Sequence, residues 1–133
     1  MRFTLFCVLW TFCNALPSPD MTENLEQVHK SHADCGKESG LTQRKYLEDL
    51  YAGSTEQPIK VHSVCMLKKT GLFGEDKKFS GRDYAKPFFG LFFSDDEVED
   101  IINTCLTSDE LNETNASQIV KCIASHFEKI DEY

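Results

Sequence analysis

One stretch in the middle of the chain decides how the remainder can pack: Lys60-Val61-His62-Ser63-Val64-Cys65-Met66-Leu67-Lys68-Lys69-Thr70-Gly71. Val61, Val64 and Cys65 recur at helical spacing, with Lys68 at the next step, so the stretch predicts a helix with an apolar face that carries these residues. Gly71 is predicted to end it, because glycine readily adopts the left-handed conformation of a helix stop. Other cysteines lie on both sides of Cys65 in the sequence. A disulfide to either side would make this helix the centre of a small bundle.

The first 15 residues are predicted to be a secretory signal peptide. Arg2 gives a positive start, residues 3–12 form an apolar run, and small residues precede a cut after Ala15. The alternative is a membrane-spanning helix, which needs about 20 apolar residues, roughly twice the length of this run. The mature domain is then residues 16–133, a secreted extracellular protein, and no other segment is apolar enough to cross a bilayer.

Export determines how the cysteines are used. Two of the six cysteines leave with the signal peptide, and four remain: Cys35, Cys65, Cys105 and Cys122. An even number of cysteines in a small secreted domain predicts two disulfides. The whole chain has a formal net charge of −8, which becomes −9 when Arg2 is removed. This charge opposes binding to nucleic acid and to anionic membranes, so neither is predicted as a partner.

Hydrophobic periodicity predicts an all-α fold, a compact bundle of about six helices joined by short loops. The first helix begins near Asp20 and ends at Gly36, and its inner stripe is Leu25, Val28, His29 and His32. The second helix is capped by Thr42 and ends at Gly53. The third is the central helix already described. No strand-like alternation of useful length is found.

The second half of the chain continues this pattern. Residues 72–81, rich in glycine and charge, predict a loop. The fourth helix is capped by Asp83 and reaches about Phe93, with a break or restart at Pro87. A capping box of Ser94 and Glu97 opens the fifth helix, whose apolar stripe is Val98, Ile101, Ile102 and Cys105. The last helix repeats apolar residues at three- and four-residue steps: Ala116, Ile119, Val120, Ile123, Ala124, Phe127 and Ile130.

The densest apolar feature lies between Pro87 and Phe93, where four of the ten phenylalanines occur within six residues. They fall on both faces of any helix, so the segment is buried on all sides or lines a cavity. A crowded core is the alternative, but so short a chain can hardly surround so many rings. An internal apolar cavity is therefore predicted, lined by Phe73, Phe79, Tyr84, Phe88, Phe89, Phe92, Phe93, Val120, Ile123, Phe127 and Tyr133. Tyr84, Tyr133 and Ser63 are the candidate polar groups.

The histidines raise two alternatives to a structural role at the rim of the core. His29, His32 and Cys35 follow one another at helical steps, as zinc ligands can. Because the cysteine is oxidised after export, too few ligands remain, so no metal and no other cofactor is predicted. The second alternative is a pH switch, since imidazole titrates near pH 6.5. His62 and His126 are further candidates for it.

Catalytic motifs are missing from the sequence. It contains no motif of a secreted phospholipase, a serine hydrolase, a zinc protease or a phosphate loop, so no enzyme and no catalytic residue is predicted. Asn112 and Asn115 begin glycosylation sequons. The alternative, that they cap the start of the last helix, is favoured.

The spacing of the mature cysteines carries a family resemblance. The intervals are 29, 39 and 16 residues. Three features resemble the insect odorant-binding and pheromone-binding protein family: the last of these intervals, the residues that follow Cys65, and the final helix. That family normally has six cysteines, and Val61 and Glu113 occupy the positions of its second and fifth. Those two form one disulfide, so the sequence resembles the family's four-cysteine subgroup.

The resemblance implies the pairs Cys35–Cys65 and Cys105–Cys122, whereas sequence alone allows three connectivities. It also implies a secreted carrier, a monomer or weak dimer, that binds a small hydrophobic odorant, pheromone or lipid-like molecule without transforming it, in olfaction or general transport. A chemosensory receptor is a further partner, and the resemblance supports ligand release at low pH. We expect the missing disulfide to leave the seam between the central and last helices free to open, and Tyr133 to cover the pocket mouth. The rival interpretation is a helical signalling or defence protein that acts on a receptor through its surface.

Overall fold

Six helices make up the part of the chain that the computed structural model describes, the backbone of residues 19–131 with side chains from 24 to 127. They are α1 (Pro19–Ser39), α2 (Gln43–Tyr51), α3 (Gln57–Lys69), α4 (Arg82–Gly90), α5 (Asp95–Cys105) and α6 (Glu113–Asp131). Within this range the chain forms no β-strand, only isolated bridges such as that of Phe73 with Phe79. The predicted all-α fold is confirmed. The signal peptide and Tyr133 lie outside the described residues.

Two disulfides tie helices together in pairs. Cys35–Cys65 joins α1 to α3 with Cα atoms 5.7 Å apart, and Cys105–Cys122 joins α5 to α6 with Cα atoms 5.6 Å apart. No cysteine among the described residues is free. The pairing implied by the family resemblance is therefore confirmed. On the chain-entropy model each closure stabilises the fold by roughly 3 kcal/mol.

The central position of α3 is confirmed, because this helix packs against α1, α2 and α6. Its predicted apolar face is wrong. Val61, Val64, Cys65 and Lys68 are only half-buried, and the face turned inward is Ile59, His62, Ser63, Met66 and Leu67. Polar residues can occupy this face because side chains from α1 and α2 provide their hydrogen bonds.

The predicted end of α1 at Gly36 is also wrong. The helix continues to Ser39, and Gly40 takes the left-handed conformation, with φ of 80°. Gly36 has a different role, because a Cβ there would lie 2.4 Å from the backbone oxygen of Leu41. The missing side chain lets the chain return closely against α1 before α2 begins.

The start and the middle of α4 differ from the prediction. Gly81, not Asp83, is the N-cap, with φ of 103°, and the helix runs through Pro87 without a break to Gly90. Proline removes the N–H that would bond the carbonyl of Asp83. Because Asp83 is exposed, water can satisfy that carbonyl, so the proline is tolerated in so short a helix.

The remaining helix ends follow the sequence more closely. The Thr42 side chain caps α2 by accepting a hydrogen bond from the Lys45 N–H at 3.1 Å, and the left-handed Gly71 follows α3. Ser94 is the N-cap of α5 as predicted, but its side chain makes no capping bond. Glu97, its expected partner in the capping box, instead accepts a hydrogen bond from His126 of α6.

The core is formed by buried residues of α2, α3, α4, α5 and α6 and of the segments that connect them. Both predicted stripes point into it: Val98, Ile101, Ile102 and Cys105 of α5, and Ala116, Ile119, Val120 and Ile123 of α6 are buried. No helix in the described range is both long and apolar enough to cross a membrane.

Candidate functional site

An apolar hollow of about 190 Å³ lies between α1 and the core. Five of the six helices and the turn after α3 contribute to its wall. Its lining residues are Leu25, Val28, His29, His32, Gln43, Leu47, Tyr51, Met66, Leu67, Thr70, Leu72, Phe88, Val120, Ile123, Ala124 and Phe127.

Helix α1 forms the outer wall of the hollow. Its lining residues, Leu25, Val28, His29 and His32, are the stripe that helical periodicity predicted to face inward. Only His32 is buried, while Leu25 and Val28 are half-buried and His29 is exposed. The hollow therefore reaches the surface along α1, which gives a small molecule a route in.

The volume limits what the hollow can hold. Pockets for drug-sized ligands measure roughly 300–1,000 Å³, whereas an engineered apolar cavity of about 150 Å³ binds benzene. At about 190 Å³, the hollow matches a molecule of one ring or a short branched chain. Burial of such a molecule stabilises the complex by roughly 25 cal/mol for each Å² of apolar surface removed from water.

The structure places four of the predicted cavity residues in the wall of the hollow: Phe88, Val120, Ile123 and Phe127. Phe73 and Phe89 are fully buried in the core, and Phe79 packs on Phe73 with ring centroids 5.7 Å apart. Phe92 and Phe93 do not line the hollow but pack behind it, with centroids 4.9 and 5.1 Å from that of Phe127. The aromatic cluster thus supports one end of the hollow.

The three predicted polar groups lie elsewhere. Tyr84 is 40 % exposed and donates a hydrogen bond to the carbonyl of Thr70. Ser63 is enclosed in the core, where its oxygen lies 2.6 Å from the Tyr46 hydroxyl. Tyr133 is outside the described residues.

Several lining residues were not among the predicted site residues. Leu25 and Val28 had been assigned only to the packing stripe of α1, and Leu47, Met66 and Leu72 carried no separate signal. For Leu25 and Val28 the apolar stripe of α1 was an available signal, because apolar residues that neighbouring helices leave half-exposed can contact a ligand.

A network of polar side chains is buried beside the hollow. His32 Nδ1 lies 3.1 Å from His62 Nε2, and His62 Nδ1 lies 2.8 Å from the Ser39 hydroxyl. The Tyr46 ring stacks on His62 with centroids 4.0 Å apart. Burial lowers the pKa of His32 and of His62 to about 4 and raises the pKa of Tyr46. Both imidazoles are therefore neutral at pH 7 and remain mostly neutral at pH 5.

The positions of the histidines can be compared with the two roles considered from the sequence, a pH switch and a zinc site. His32 and His62 belong to the core, and neither changes charge appreciably between pH 7 and pH 5. His29 is exposed and bonds the side chain of Gln43 at 3.0 Å. Cys35 is oxidised, so it provides no thiolate for a zinc site with the two histidines of α1.

A different group in the described chain has the composition of a metal site. Ligand atoms of Glu97, Asp100 and His126 lie within 4.8 Å of one another. The imidazole of His126 contacts Glu97 through Nδ1, while Nε2 lies 3.9 Å from Asp100. We interpret the group as a structural contact, in which His126 hydrogen-bonds Glu97 and lies near Asp100, that ties α5 to α6.

The seam that a third disulfide would close lies between α3 and α6. Val61 and Glu113 both border a polar groove on the outer side of α3. The Gln57 amide donates a hydrogen bond to the Glu113 carboxylate at 3.1 Å, so a polar contact joins the two helices near this seam.

Comparison with known proteins agrees with this architecture. The model of the PBP/GOBP family matches residues 17–126. The chain is 22 % identical over 102 residues to the B1 protein of Tenebrio molitor, covering 76 % of this chain and 78 % of that protein. It is 21 % identical over 102 residues to the B2 protein of the same organism, covering 76 % and 80 %. The chain therefore belongs to the PBP/GOBP family of odorant- and pheromone-binding proteins, and its described cysteines form the two disulfides of the four-cysteine type.

Proposed function

We propose that this protein is a secreted carrier that reversibly binds a small hydrophobic molecule in the hollow beneath α1. The single observation that supports this most strongly is the hollow itself, an apolar space that reaches the surface and is bounded by residues of five helices. Membership of a small-ligand-binding family supports the same role. The molecule is held and released without chemical change, a role that membership of a ligand-binding family supports.

We further propose that residues 1–15 are removed on export and that residues 16–133 act outside the cell. The two disulfides support this, because such bonds form and persist in oxidising compartments. A monomer or weak dimer is the proposed oligomeric state. Odorants, pheromones and lipid-like molecules are the candidate ligand classes, and a chemosensory receptor is a candidate partner.

The proposal is tested by filling the hollow. Ala124 lines it and is half-buried, whereas Ser125 is the next residue of α6, is exposed and does not line it. Titration with toluene and with acetophenone, followed by calorimetry and methyl NMR, should give saturable one-to-one binding. Ala124→Trp should abolish that binding, and Ser125→Trp should leave it unchanged.

The same experiment addresses the rival function, a signalling or defence protein that acts through its surface. If the wild-type protein binds neither compound, or if both tryptophan variants bind them as tightly as the wild type, the hollow is not a ligand site. The rival function would then be the better account.

A further inference from the structure

One side of the hollow is polar. His29, His32 and Gln43 line both the hollow and a shallow cleft beside it, between α1 and the start of α2. We call these three residues the polar wall. Among the described residues that line the hollow, none is Lys, Arg, Asp or Glu. The polar wall can therefore offer hydrogen bonds but no opposite charge to a ligand.

The buried histidine of the polar wall has one ring nitrogen without a hydrogen-bond partner in the described part of the chain. His32 is only 5 % exposed, and its Nδ1 is bonded to His62, whereas Nε2 makes no hydrogen bond. Every fully enclosed side-chain nitrogen or oxygen among the described residues does have a partner. His32 Nε2 is therefore not sealed inside the core, and His32 borders both the hollow and the cleft.

The hydrogen bonds between Ser39, His62 and His32 link the tautomer of His32 to the direction in which the Ser39 hydroxyl donates. The Ser39 oxygen accepts a bond from the Leu41 N–H at 3.2 Å. If the Ser39 hydroxyl donates to His62 Nδ1, its single donor is used and its oxygen still accepts from Leu41. His62 must then carry its proton on Nε2 and donate it to His32 Nδ1. This leaves the proton of His32 on Nε2, as a donor without an acceptor in the described residues. In the opposite arrangement His62 Nδ1 donates to Ser39, and the hydroxyl hydrogen of this half-buried serine has water as its acceptor.

We propose that the ligand is a neutral molecule with a carbonyl or ether oxygen, and that this oxygen accepts a hydrogen bond from His32 Nε2. This inference rests on the proposed carrier function and names the ligand class of the same hollow. The apolar part of the ligand occupies the space between Leu25, Leu47 and Phe127. Gln43 adds amide donors beside His32, because its oxygen already accepts a hydrogen bond from His29.

Two observations favour a neutral ligand over a carboxylate. An anion would lie in a hollow without a cation in its described lining, so the cost of its desolvation would not be offset. The imidazole of His32 does not supply a positive charge at pH 7, because burial lowers its pKa to about 4. Aldehydes, ketones and esters are the matching class.

Three compounds of nearly the same shape test this proposal: acetophenone, α-methylstyrene, which replaces the ketone oxygen by a methylene group, and benzoate, which replaces the methyl group by an anionic oxygen. Calorimetry should give saturable binding of the first two and much weaker binding of benzoate at pH 7. The ketone loses more hydration than the hydrocarbon on entry. The informative quantity is therefore the ratio of the two dissociation constants in the wild type and in His32→Phe.

In His32→Phe this ratio should shift against the ketone by roughly two- to tenfold, the range expected for one hydrogen bond. His126→Phe is the matched control, because His126 is buried on α6 outside the hollow, and its ratio should equal that of the wild type. An unchanged ratio in His32→Phe, or benzoate binding as tight as that of acetophenone, overturns the inference and leaves the carrier function intact. Failure of all three compounds to bind the wild type overturns the carrier function itself.

Long-range ¹H–¹⁵N NMR of the wild-type protein provides a test that does not depend on the folding of a variant. The proton of His32 should be found on Nε2, and the resonance of that nitrogen should shift on addition of acetophenone but much less on addition of α-methylstyrene. A proton on Nδ1 would overturn the inference.

Discussion

At the scale of single residues, the central feature is a group of polar side chains that bury one another. His62 and Ser63 occupy the inward face of α3. The ring of Tyr46, from α2, stacks on His62, and its hydroxyl is hydrogen-bonded to that of Ser63. Each polar group in this cluster has a hydrogen-bond partner, which is the condition for its burial. The cluster reaches the hollow through His32, which lines it and whose Nδ1 lies 3.1 Å from His62 Nε2.

Removing the Tyr46 hydroxyl should destabilise the protein. Tyr46→Phe leaves the Ser63 hydroxyl in the core without its partner at 2.6 Å, and we expect a loss of about 1–2 kcal/mol in the free energy of unfolding. Urea denaturation measures it. Tyr84→Phe is the control, because Tyr84 is 40 % exposed, so that its loss should be smaller. Equal losses in both variants would contradict the importance of the buried pair.

The buried histidines should make stability depend on pH. Burial lowers the pKa of His32 and His62 from 6.5 to about 4 in the folded state. Protons therefore bind the unfolded state preferentially between pH 6.5 and 4. Their contribution to stability is complete above this window and is lost as pH falls through it, at up to about 1.4 kcal/mol per pH unit for each histidine. Urea denaturation at pH 7, 6, 5 and 4 measures the slope.

A matched pair of variants assigns this slope to the buried residues. His62→Gln should flatten it, whereas His29→Gln should not, because His29 is exposed. A slope that is the same in the wild type and in His62→Gln would show that other groups cause the acid sensitivity.

At the scale of elements, glycines control how closely helices and turns approach. Gly36 allows the backbone of Leu41 to lie against α1, although it is not at the end of the helix. The left-handed turn comes one helical turn later, at Gly40. Together they turn the chain sharply from α1 into α2, which brings Gln43 opposite His29 at the polar wall.

Gly36→Ala should therefore be destabilising even though alanine favours helices. The new Cβ would lie 2.4 Å from the Leu41 oxygen, and the backbone shift needed to relieve this should cost about 1–3 kcal/mol. Gly90→Ala at the end of α4 is the control, since a Cβ there meets no atom within 4 Å, and it should be neutral or slightly stabilising. Thermal unfolding of the two variants compares them. A neutral Gly36→Ala would mean that the approach of Leu41 is looser than described.

At the scale of the whole molecule, the two disulfides have different relations to the hollow. Cys35–Cys65 attaches α1, the outer wall of the hollow, to the central helix. Cys105–Cys122 attaches α5, which provides no lining residue, to α6. Both close loops of similar entropic effect, but only the first joins two helices that both line the hollow.

The double variant Cys35→Ser/Cys65→Ser should consequently weaken ligand binding more than Cys105→Ser/Cys122→Ser does. Each should lower the free energy of unfolding by about 2–5 kcal/mol. Only the first should also weaken acetophenone binding at a temperature where the variant remains folded, because α1 is freed from α3. Calorimetric titration combined with thermal unfolding separates the two effects. If both variants lost the same affinity, binding would depend on global stability alone.

Local patterns in the sequence were enough to determine the helices, the central position of α3 and the number of disulfides. Thr42, Ser94 and Gly71 mark helix ends through their own conformational preferences, and the stripes of α5 and α6 follow from helical periodicity, so each is readable without knowledge of distant residues. The inward face of α3 was not readable in this way. His62 and Ser63 are buried only because Ser39 and Tyr46 meet them from other helices.

The predicted cavity differs from the observed hollow because the surroundings of each ring also depend on residues from other helices. Phenylalanine content correctly located a dense aromatic cluster, but whether a ring faces space or another ring depends on which helix packs against it. Phe88 and Phe127 line the hollow, whereas Phe89 is enclosed by the core and Phe92 packs behind. Sequence alone therefore determined an all-helical, disulfide-linked domain. Only the tertiary structure decided where its empty space lies, because a hollow is a property of facing surfaces and not of any one segment.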